Sequence, residues 1–312
     1  MSVATDRGTM ESIHRTKRDR RTVSRWACGL GMVMVPAVVS ACSTPDATTP
    51  ATVRLGSAAA KNCQKTFIPA YFGPGAEWTQ AVKSQPTPNV MILDVSGLGA
   101  GTAPQDKFRV AVRHARAAGV TVLGYSATQY AQRSPQAVEA DVENYKAWYG
   151  VTGIFLDEVS SSTKQLPYYR RLDTFIHTTT AGAIVWLNPG TYPSSRYMSV
   201  GNVLMVYEGT YANYVGQTVP AWVHRFAASR FAHTIYATPA SSLDTAIELA
   251  RTRNAEYVYV TQGSGSDPYS ALPSYWSTED AAVADECVGG ARSAAKAISH
   301  HASSHRAGSQ SA

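Results

Sequence analysis

Eight short apolar segments recur along the chain, and polar residues follow each of them. The segments are rich in Val, Ile, Leu and aromatic residues, as expected of parallel strands that are buried on both faces. They span 66–72, 89–95, 121–127, 153–157, 183–188, 203–208, 233–237 and 257–261. Stretches with helical periodicity separate them, so the pattern predicts alternating strands and helices.

The helical stretches show apolar positions three and four residues apart. They span 108–118, the segment that begins after Ser134, 166–178, 218–229 and 242–253. Ser134 precedes Pro135, which is the order of an N-cap and a first helical residue. Eight strand–helix repeats predict an α/β fold with a single (β/α)8 TIM-type barrel, and a doubly wound open sheet is the alternative. No Gly-x-Gly-x-x-Gly follows the first strand, so the dinucleotide-binding fingerprint is missing.

Carboxylates stand where two of the apolar strands end. The segment Gly153–Leu156 runs into Asp157 and Glu158, and the segment that begins at Val203 runs into Glu208. Burying a charge is costly unless it is paired, so acids at strand ends suggest a site at the carboxyl-terminal mouth of a barrel. A pair of acids there is what glycoside hydrolysis requires, and we predict Asp157, Glu158 and Glu208 as catalytic residues. Glu158 can join Asp157 only if the strand breaks between them, because adjacent strand residues point to opposite faces.

Aromatic, amide and acidic residues follow the other strands. Rings can cover the apolar faces of sugars, while amides and acids can bond sugar hydroxyls. An ordinary packing role is the alternative for any single ring, and an ion pair with a basic residue is the alternative for any single acid. The predicted substrate-binding residues are Tyr71, Asp94, Tyr125, Tyr130, Trp186, Asn188 and Tyr211.

The amino terminus resembles an export signal. Basic residues precede a mostly apolar run at 26–39, and the run ends in Val39-Ser40-Ala41-Cys42, similar to a bacterial lipobox. We therefore predict a lipoprotein signal peptide at 1–42, lipidation of Cys42, a flexible tether at 43–62, a barrel at 63–295 and a disordered tail at 296–312. An ordinary cleaved signal or a single anchor helix is the alternative. The prediction implies an exported cell-surface lipoprotein that contacts the membrane only through its lipid.

Charge and cysteine content limit the possible partners. The chain has 28 Lys and Arg against 22 Asp and Glu, but residues 1–42 hold seven of the bases and three of the acids, so the remainder has a net charge of only +2. This gives no reason to expect a nucleic-acid partner. Cys63 and Cys287 are predicted to form a disulfide in an oxidising compartment, with two unrelated buried thiols as the alternative. Nothing calls for a metal or cofactor, and a monomer is expected.

Six ordered motifs resemble those of the spherulation-specific family 4 (spherulin-4) proteins. They are Ile68-Pro69-Ala70-Tyr71, Gly124-Tyr125-Ser126-Ala127-Thr128, Tyr145-Lys146-Ala147-Trp148-Tyr149, Gly153-Ile154-Phe155-Leu156-Asp157-Glu158, Asn188-Pro189-Gly190-Thr191 and Tyr207-Glu208. The resemblance implies a (β/α)8 barrel related to glycoside hydrolase family 135. That family cleaves α-1,4-linked N-acetylgalactosamine polymers, such as galactosaminogalactan, at internal bonds. Carried over, its active-site acids fall on Asp157, Glu158 and Glu208. The turn at 93–97 departs from the family's Asn-Pro pattern, which leaves the substrate open.

We predict hydrolysis through two carboxyl groups. Glu208 is assigned as the acid/base and Asp157 as the nucleophile or charge stabiliser, although the two roles could be exchanged. The alternatives are a non-catalytic surface lipoprotein that binds carbohydrate, and a hydrolase of a different cell-wall or capsular glycan.

Overall fold

Eight parallel strands follow one another around a closed barrel in the computed structural model of the protein, which describes residues 63–284. The predicted TIM barrel is confirmed, and hydrogen bonds between β1 and β8 exclude an open sheet. The strands are β1 (Lys65–Pro69), β2 (Val90–Leu93), β3 (Thr121–Ala127), β4 (Gly153–Asp157), β5 (Ile184–Leu187), β6 (Val203–Thr210), β7 (Phe231–Tyr236) and β8 (Tyr257–Val260).

Helices lie between the strands in the chain. They are α1 (Ala76–Lys83), α2 (Asp106–Ala117), α3 (Pro135–Asn144), α4 (Leu166–Thr179), α5 (Tyr211–Val215) and α6 (Leu243–Thr252), and residues 276–284 are helical after β8. The predicted cap of α3 is present, because the Ser134 side chain accepts a hydrogen bond from the Ala137 N–H. α3 continues into a π-helical turn, Tyr145–Tyr149, which ends at Gly150 with a left-handed φ of 66°.

The predicted helix at 218–229 is wrong. The short helix α5 follows β6 directly, and the region predicted as helix holds only the 3-10 turns Val223–Arg225 and Ala228–Arg230. Side chains at the end of α6 bind the carbonyls of this connection. Arg253 donates to the carbonyls of residues 214 and 215, and Asn254 to those of 223 and 226. Because these carbonyls are satisfied from a distant part of the chain, the connection needs no helix of its own.

Large side chains fill the barrel below its mouth. Phe67, Trp186 and Tyr259 are at most 1% exposed, and the Phe67 ring packs edge-on against that of Trp186 at a centroid distance of 5.3 Å. This packed interior leaves the carboxyl-terminal mouth as the place for chemistry.

The helix at 276–284 bridges the place where the barrel closes. In the described part of the chain, the strand register joins β1 to β8 through only two residue pairs. Glu279 Oε1 accepts a hydrogen bond from the Val260 N–H of β8 at 2.7 Å, and Asp280 Oδ1 accepts one from the Thr66 hydroxyl of β1 at 3.0 Å. Two consecutive residues thus hold the strands on either side of this seam.

Several predicted features lie outside the described residues. These are the signal peptide at 1–42 with Cys42, the tether up to residue 62, the tail at 296–312 and Cys287. Cys63 is exposed, and its disulfide with Cys287 stays a prediction. Across residues 63–284, the helices are too short or too polar to span a bilayer.

Candidate active site

The two acids that end β4 both reach the mouth of the barrel because the strand breaks between them. β4 ends at Asp157, and Glu158 adopts a left-handed φ of 50°. Residues that follow β3 hold this break in place: the Thr128 hydroxyl donates to the carbonyls of both acids, at 2.9 and 2.8 Å, and the Tyr130 N–H donates to the Glu158 carbonyl at 2.7 Å. The strand therefore breaks between Asp157 and Glu158, as it must for both acids to reach the mouth.

Asn188 bridges the acids of β4 and β6. Its Nδ2 atom donates to Asp157 Oδ1 at 2.7 Å and to Glu208 Oε2 at 2.6 Å. Its Oδ1 atom accepts from the Gly190 N–H at 2.8 Å, which fixes the orientation of the amide. Because one nitrogen contacts both carboxyl groups, their nearest oxygens are separated by no more than the sum of the two contacts, about 5.3 Å.

Each acid has further hydrogen-bond donors. Tyr269, in the segment after β8, donates its hydroxyl to Glu208 Oε1 at 2.8 Å. Around Asp157, the Tyr125 hydroxyl and the Glu158 N–H lower the pKa of the carboxyl group in addition to Asn188. Both acids therefore lie near polar groups that favour their ionised forms.

Burial raises the pKa of both bridged acids. For Glu208, the neighbouring charge of Asp157 raises the pKa further, and the hydrogen bonds from Asn188 and Tyr269 lower it. For Asp157, the interactions with the Glu158 N–H, Tyr125 and Asn188 lower the pKa, and the charge of Asp94 raises it further. The charge of an ionised Asp157 thus favours a protonated Glu208, and a pair of carboxyl groups in different protonation states is what acid/base and nucleophile roles require.

The two acids lie between two cavities. A cavity of about 470 Å³ is lined by Tyr71, Asp94, Tyr125, Tyr236, Tyr269 and the segment 265–268, together with Asp157 and Glu208. A second, of about 370 Å³, is lined by Tyr130, Glu158, Asn188, Pro189 and Gly190, together with the same two acids. A third, of about 240 Å³, shares Tyr71 and Asp94 with the first. The first cavity therefore adjoins both of the others through shared lining residues.

Five of the seven predicted substrate-binding residues line these cavities: Tyr71, Asp94, Tyr125, Tyr130 and Asn188. Trp186 is not available to a ligand. It is 1% exposed and packs against Phe67 and Tyr257 in the barrel interior, two residues before Asn188 on the same strand face. Tyr211 starts α5 and does not line these three cavities.

The sequence did not point to Tyr269 or Asp267. Both lie in the Gly-, Ser- and Pro-containing segment after β8, several residues beyond the strand end. Tyr269 is 4% exposed and contacts Glu208, and Asp267 lines the larger cavity. The segment 268–276, which holds Tyr269, Tyr275 and Trp276, is the local signal that this loop packs inward. Within 63–284, no group of His, Cys, Asp and Glu has an arrangement that could hold a metal ion.

Two sequence comparisons identify the same family, and a structural comparison adds a related barrel. The sequence model of spherulation-specific family 4 matches residues 65–283. Spherulin-4 of Physarum polycephalum is 30% identical over 236 residues, which cover 70% of each chain. The crystal structure of Aspergillus clavatus Sph3 in complex with GalNAc superimposes with a TM-score of 0.64 at 25% identity, covering 72% of this chain and 98% of that one.

Proposed function

The chain belongs to the spherulation-specific family 4, and from this membership and its paired acids we propose that it is a glycoside hydrolase. Its proposed substrate is a polysaccharide that contains α-1,4-linked N-acetylgalactosamine or galactosamine, cut at internal bonds. The observation that carries the proposal is the pair Asp157 and Glu208, joined through Asn188 at the mouth of the barrel. The Sph3 structure, which holds GalNAc, supports the sugar class.

In the proposed reaction, Glu208 gives its proton to the glycosidic oxygen while the bond from that oxygen to the anomeric carbon breaks. Asp157 attacks the anomeric carbon from the opposite face and forms a glycosyl ester. Glu208, now a carboxylate, then takes a proton from water, whose oxygen displaces Asp157. The charge of Asp157, which raises the pKa of Glu208, supports Glu208 as the proton donor. An acetamido group on an α-linked sugar lies on the face of the leaving oxygen and cannot replace Asp157 as nucleophile.

The spacing of the acids supports retention of configuration. Retaining glycosidases hold their carboxyl groups about 5–5.5 Å apart, whereas inverting enzymes leave about 6.5–9.5 Å for a water molecule. The shared contact with Asn188 keeps the nearest oxygens of Asp157 and Glu208 at most about 5.3 Å apart, and this limit fits the shorter range better than the longer one. An α-linked substrate should therefore give an α-configured product first.

The cavities support the proposed cleavage at internal bonds and the proposed type of sugar. Because Asp157 and Glu208 line two cavities, a glycan chain would have space beyond the reacting bond in each. The two cavities that contain Asp157 and Glu208 are also lined by Asp94, Glu158 and Asp267, and by no Lys, Arg or His. This charge favours neutral or amine-bearing sugars over uronic acids, because like charges repel at short range in a partly buried site.

The proposed location is the outer surface of a bacterial membrane, reached through the signal peptide at 1–42 and lipidation of Cys42. Radiolabelled palmitate should enter the parent protein, and a Cys42→Ala variant should not incorporate it. Equal labelling of both proteins would contradict the lipid anchor and leave the hydrolase proposal intact.

The first test of the activity is digestion of galactosaminogalactan by the parent protein and by Glu208→Gln, followed by mass spectrometry of released oligosaccharides. Glu208→Gln removes the proton donor with little change of shape, and we expect release to fall at least about 100-fold. Glu143→Gln, which changes an exposed glutamate on α3, is the matched control and should behave as the parent. NMR of the first product would report its anomeric configuration.

Three outcomes would contradict parts of the proposal. A parent that binds the polymer but releases nothing would show a carbohydrate-binding protein. Release that is unchanged in Glu208→Gln would remove Glu208 from the chemistry. Preferred release from a uronic-acid polymer would contradict the sugar class but not the glycosidase.

A further inference from the structure

The two oxygens of Glu208 face different kinds of hydrogen-bond partner. Oε2 faces the Asn188 amide nitrogen at 2.6 Å, and Oε1 faces the Tyr269 hydroxyl at 2.8 Å. An acid/base must hold its proton on one of these two oxygens at one stage and lose it at another. The partners therefore decide which oxygen can do this.

Oε2 is a poor place for the proton. The Asn188 nitrogen is a donor only, and it cannot be exchanged for the amide oxygen without loss, because Oδ1 accepts from Gly190 and Nδ2 also donates to Asp157. A proton on Oε2 would point at an N–H group. Oε1 has no such conflict, since a tyrosine hydroxyl can either donate or accept.

Tyr269 is held firmly in this position. Its ring lies edge-on to Tyr71 at a centroid distance of 5.6 Å and contacts Tyr259 at 6.3 Å, and its N–H donates to Asp267 Oδ1 at 3.1 Å. The side chain is buried, and burial raises the pKa of its hydroxyl well above the ordinary value. The hydroxyl therefore keeps its proton while Glu208 gains and loses one.

We propose that Tyr269 is the positioning residue of the acid/base, and that its hydroxyl confines the catalytic proton to Oε1 of Glu208. When Glu208 is protonated, its proton lies on Oε1. The Tyr269 hydroxyl can accept a hydrogen bond from this proton until a glycosidic oxygen takes its place. Once the proton has moved to the leaving group, the hydroxyl donates to the charged Oε1. In the second step, Oε1 takes a proton from water and the starting arrangement returns. This assignment rests on the proposed glycosidase activity.

The assignment predicts a change in one limb of the pH profile. The titratable groups that act on Glu208 are Asp157 on β4, Tyr71 after β1 and Tyr269 after β8. Among these, the Tyr269 hydrogen bond lowers the pKa of Glu208, so its removal raises that pKa. A higher pKa keeps the donor protonated to higher pH. The alkaline limb of the pH–activity profile should therefore shift to higher pH, and the acidic limb should keep its position.

The test compares Tyr269→Phe with Tyr259→Phe, which removes a phenolic hydroxyl from the adjoining ring and leaves the donor to Glu208 intact. Tyr269→Phe should lower kcat about 10- to 100-fold, as expected for loss of a hydrogen bond to a charged group, with KM changed less than about threefold. The alkaline limb of the Tyr269→Phe profile should shift to higher pH by about half a unit or more. Tyr259→Phe should change neither kcat nor the profile.

A second readout does not depend on turnover. NMR titration of carboxyl-labelled glutamate, with the Glu208 signal assigned by its loss in Glu208→Gln, should show a higher pKa in Tyr269→Phe than in the parent. An unchanged titration, or equal effects of Tyr269→Phe and Tyr259→Phe, would overturn the assignment. A raised pKa in a protein that cleaves no glycan would support the contact and contradict the proposed function.

Discussion

At the scale of single residues, Asn188 is the uncharged side chain that contacts both proposed catalytic acids. It holds Asp157 and Glu208 at once, and its hydrogen bonds lower the pKa of both acids. It thereby sets the spacing of the acids and limits how far burial can raise their pKa values.

Asn188→Ala should lower kcat about 10- to 100-fold. It should also shift both limbs of the pH profile to higher pH, because both acids lose a hydrogen-bond donor to their ionised form. Tyr269→Phe, by contrast, should move one limb only. The matched control is Asn213→Ala, at an exposed position on α5. The measurement is kcat/KM against pH, and movement of a single limb in Asn188→Ala would contradict the bridge.

The residues at strand ends could be predicted, because an acid or amide that follows a buried apolar run has few other places to lie. That reasoning found Asp157, Glu208 and Asn188. It failed for Trp186, since sequence periodicity gives the face of a strand but not the depth of a side chain in the barrel. It also missed Tyr269, whose position depends on a loop that folds back over the mouth from beyond β8.

At the scale of elements, one buried ion pair connects α3, β3 and the loop after β2. Arg133 Nη1 contacts Asp141 Oδ2 at 2.7 Å and donates to the Leu98 carbonyl at 3.0 Å. Asp141 also accepts from Ser126 Oγ at 2.7 Å and from the Ala100 N–H at 3.2 Å. The loop fixed in this way carries Asp94 to the cavity.

Arg133→Met should lower the free energy of unfolding by about 3–5 kcal/mol, because it leaves the Asp141 carboxylate buried without its cation. Arg109→Met is the matched control: its pair with Asp106 is also 2.7 Å long, but the side chains are 60% and 84% exposed, against 13% and 10% for Arg133 and Asp141. We expect less than about 1 kcal/mol there. Urea unfolding measures both, and equal losses would contradict the argument.

Elements with a strong internal pattern were predicted, and those held by distant residues were not. The eight strands appear in the sequence as apolar runs, and Ser134 and Pro135 mark the start of α3. The connection between β6 and β7 has apolar spacing without a helix, because Arg253 and Asn254 supply its hydrogen bonds. Such a partner cannot be recognised from the connection's own sequence.

At the scale of the whole molecule, the seam between β1 and β8 depends on two buried acids. Burial raises the pKa of Glu279 well above its ordinary value and that of Asp280 to about 6. A carboxyl group whose pKa is higher in the folded state stabilises the fold at low pH. This contribution is lost as pH rises through the folded-state value.

Between about pH 4 and pH 7, the parent should therefore lose unfolding free energy relative to Glu279→Gln/Asp280→Asn, by up to about 1.4 kcal/mol per pH unit for each acid. The amide variant keeps the contacts to Val260 and Thr66 but does not titrate. Urea unfolding across this range measures the difference, with Glu143→Gln as a control that should follow the parent. Parallel curves for parent and amide variant would show that these acids do not ionise on unfolding.

The same seam sets the order in which the protein can be completed. Gln64, beside β1, bonds to the carbonyl of Ala255, beside β8, across a sequence separation of 191 residues. During synthesis, β1 leaves the ribosome long before β8 and residues 276–284 have been made. The edge of β1 that pairs with β8 therefore has no partner strand during this time. Contacts so distant in sequence form slowly, and an unpaired edge can join another chain. Nascent chains that stop before residue 276 should accordingly be the ones that require a chaperone.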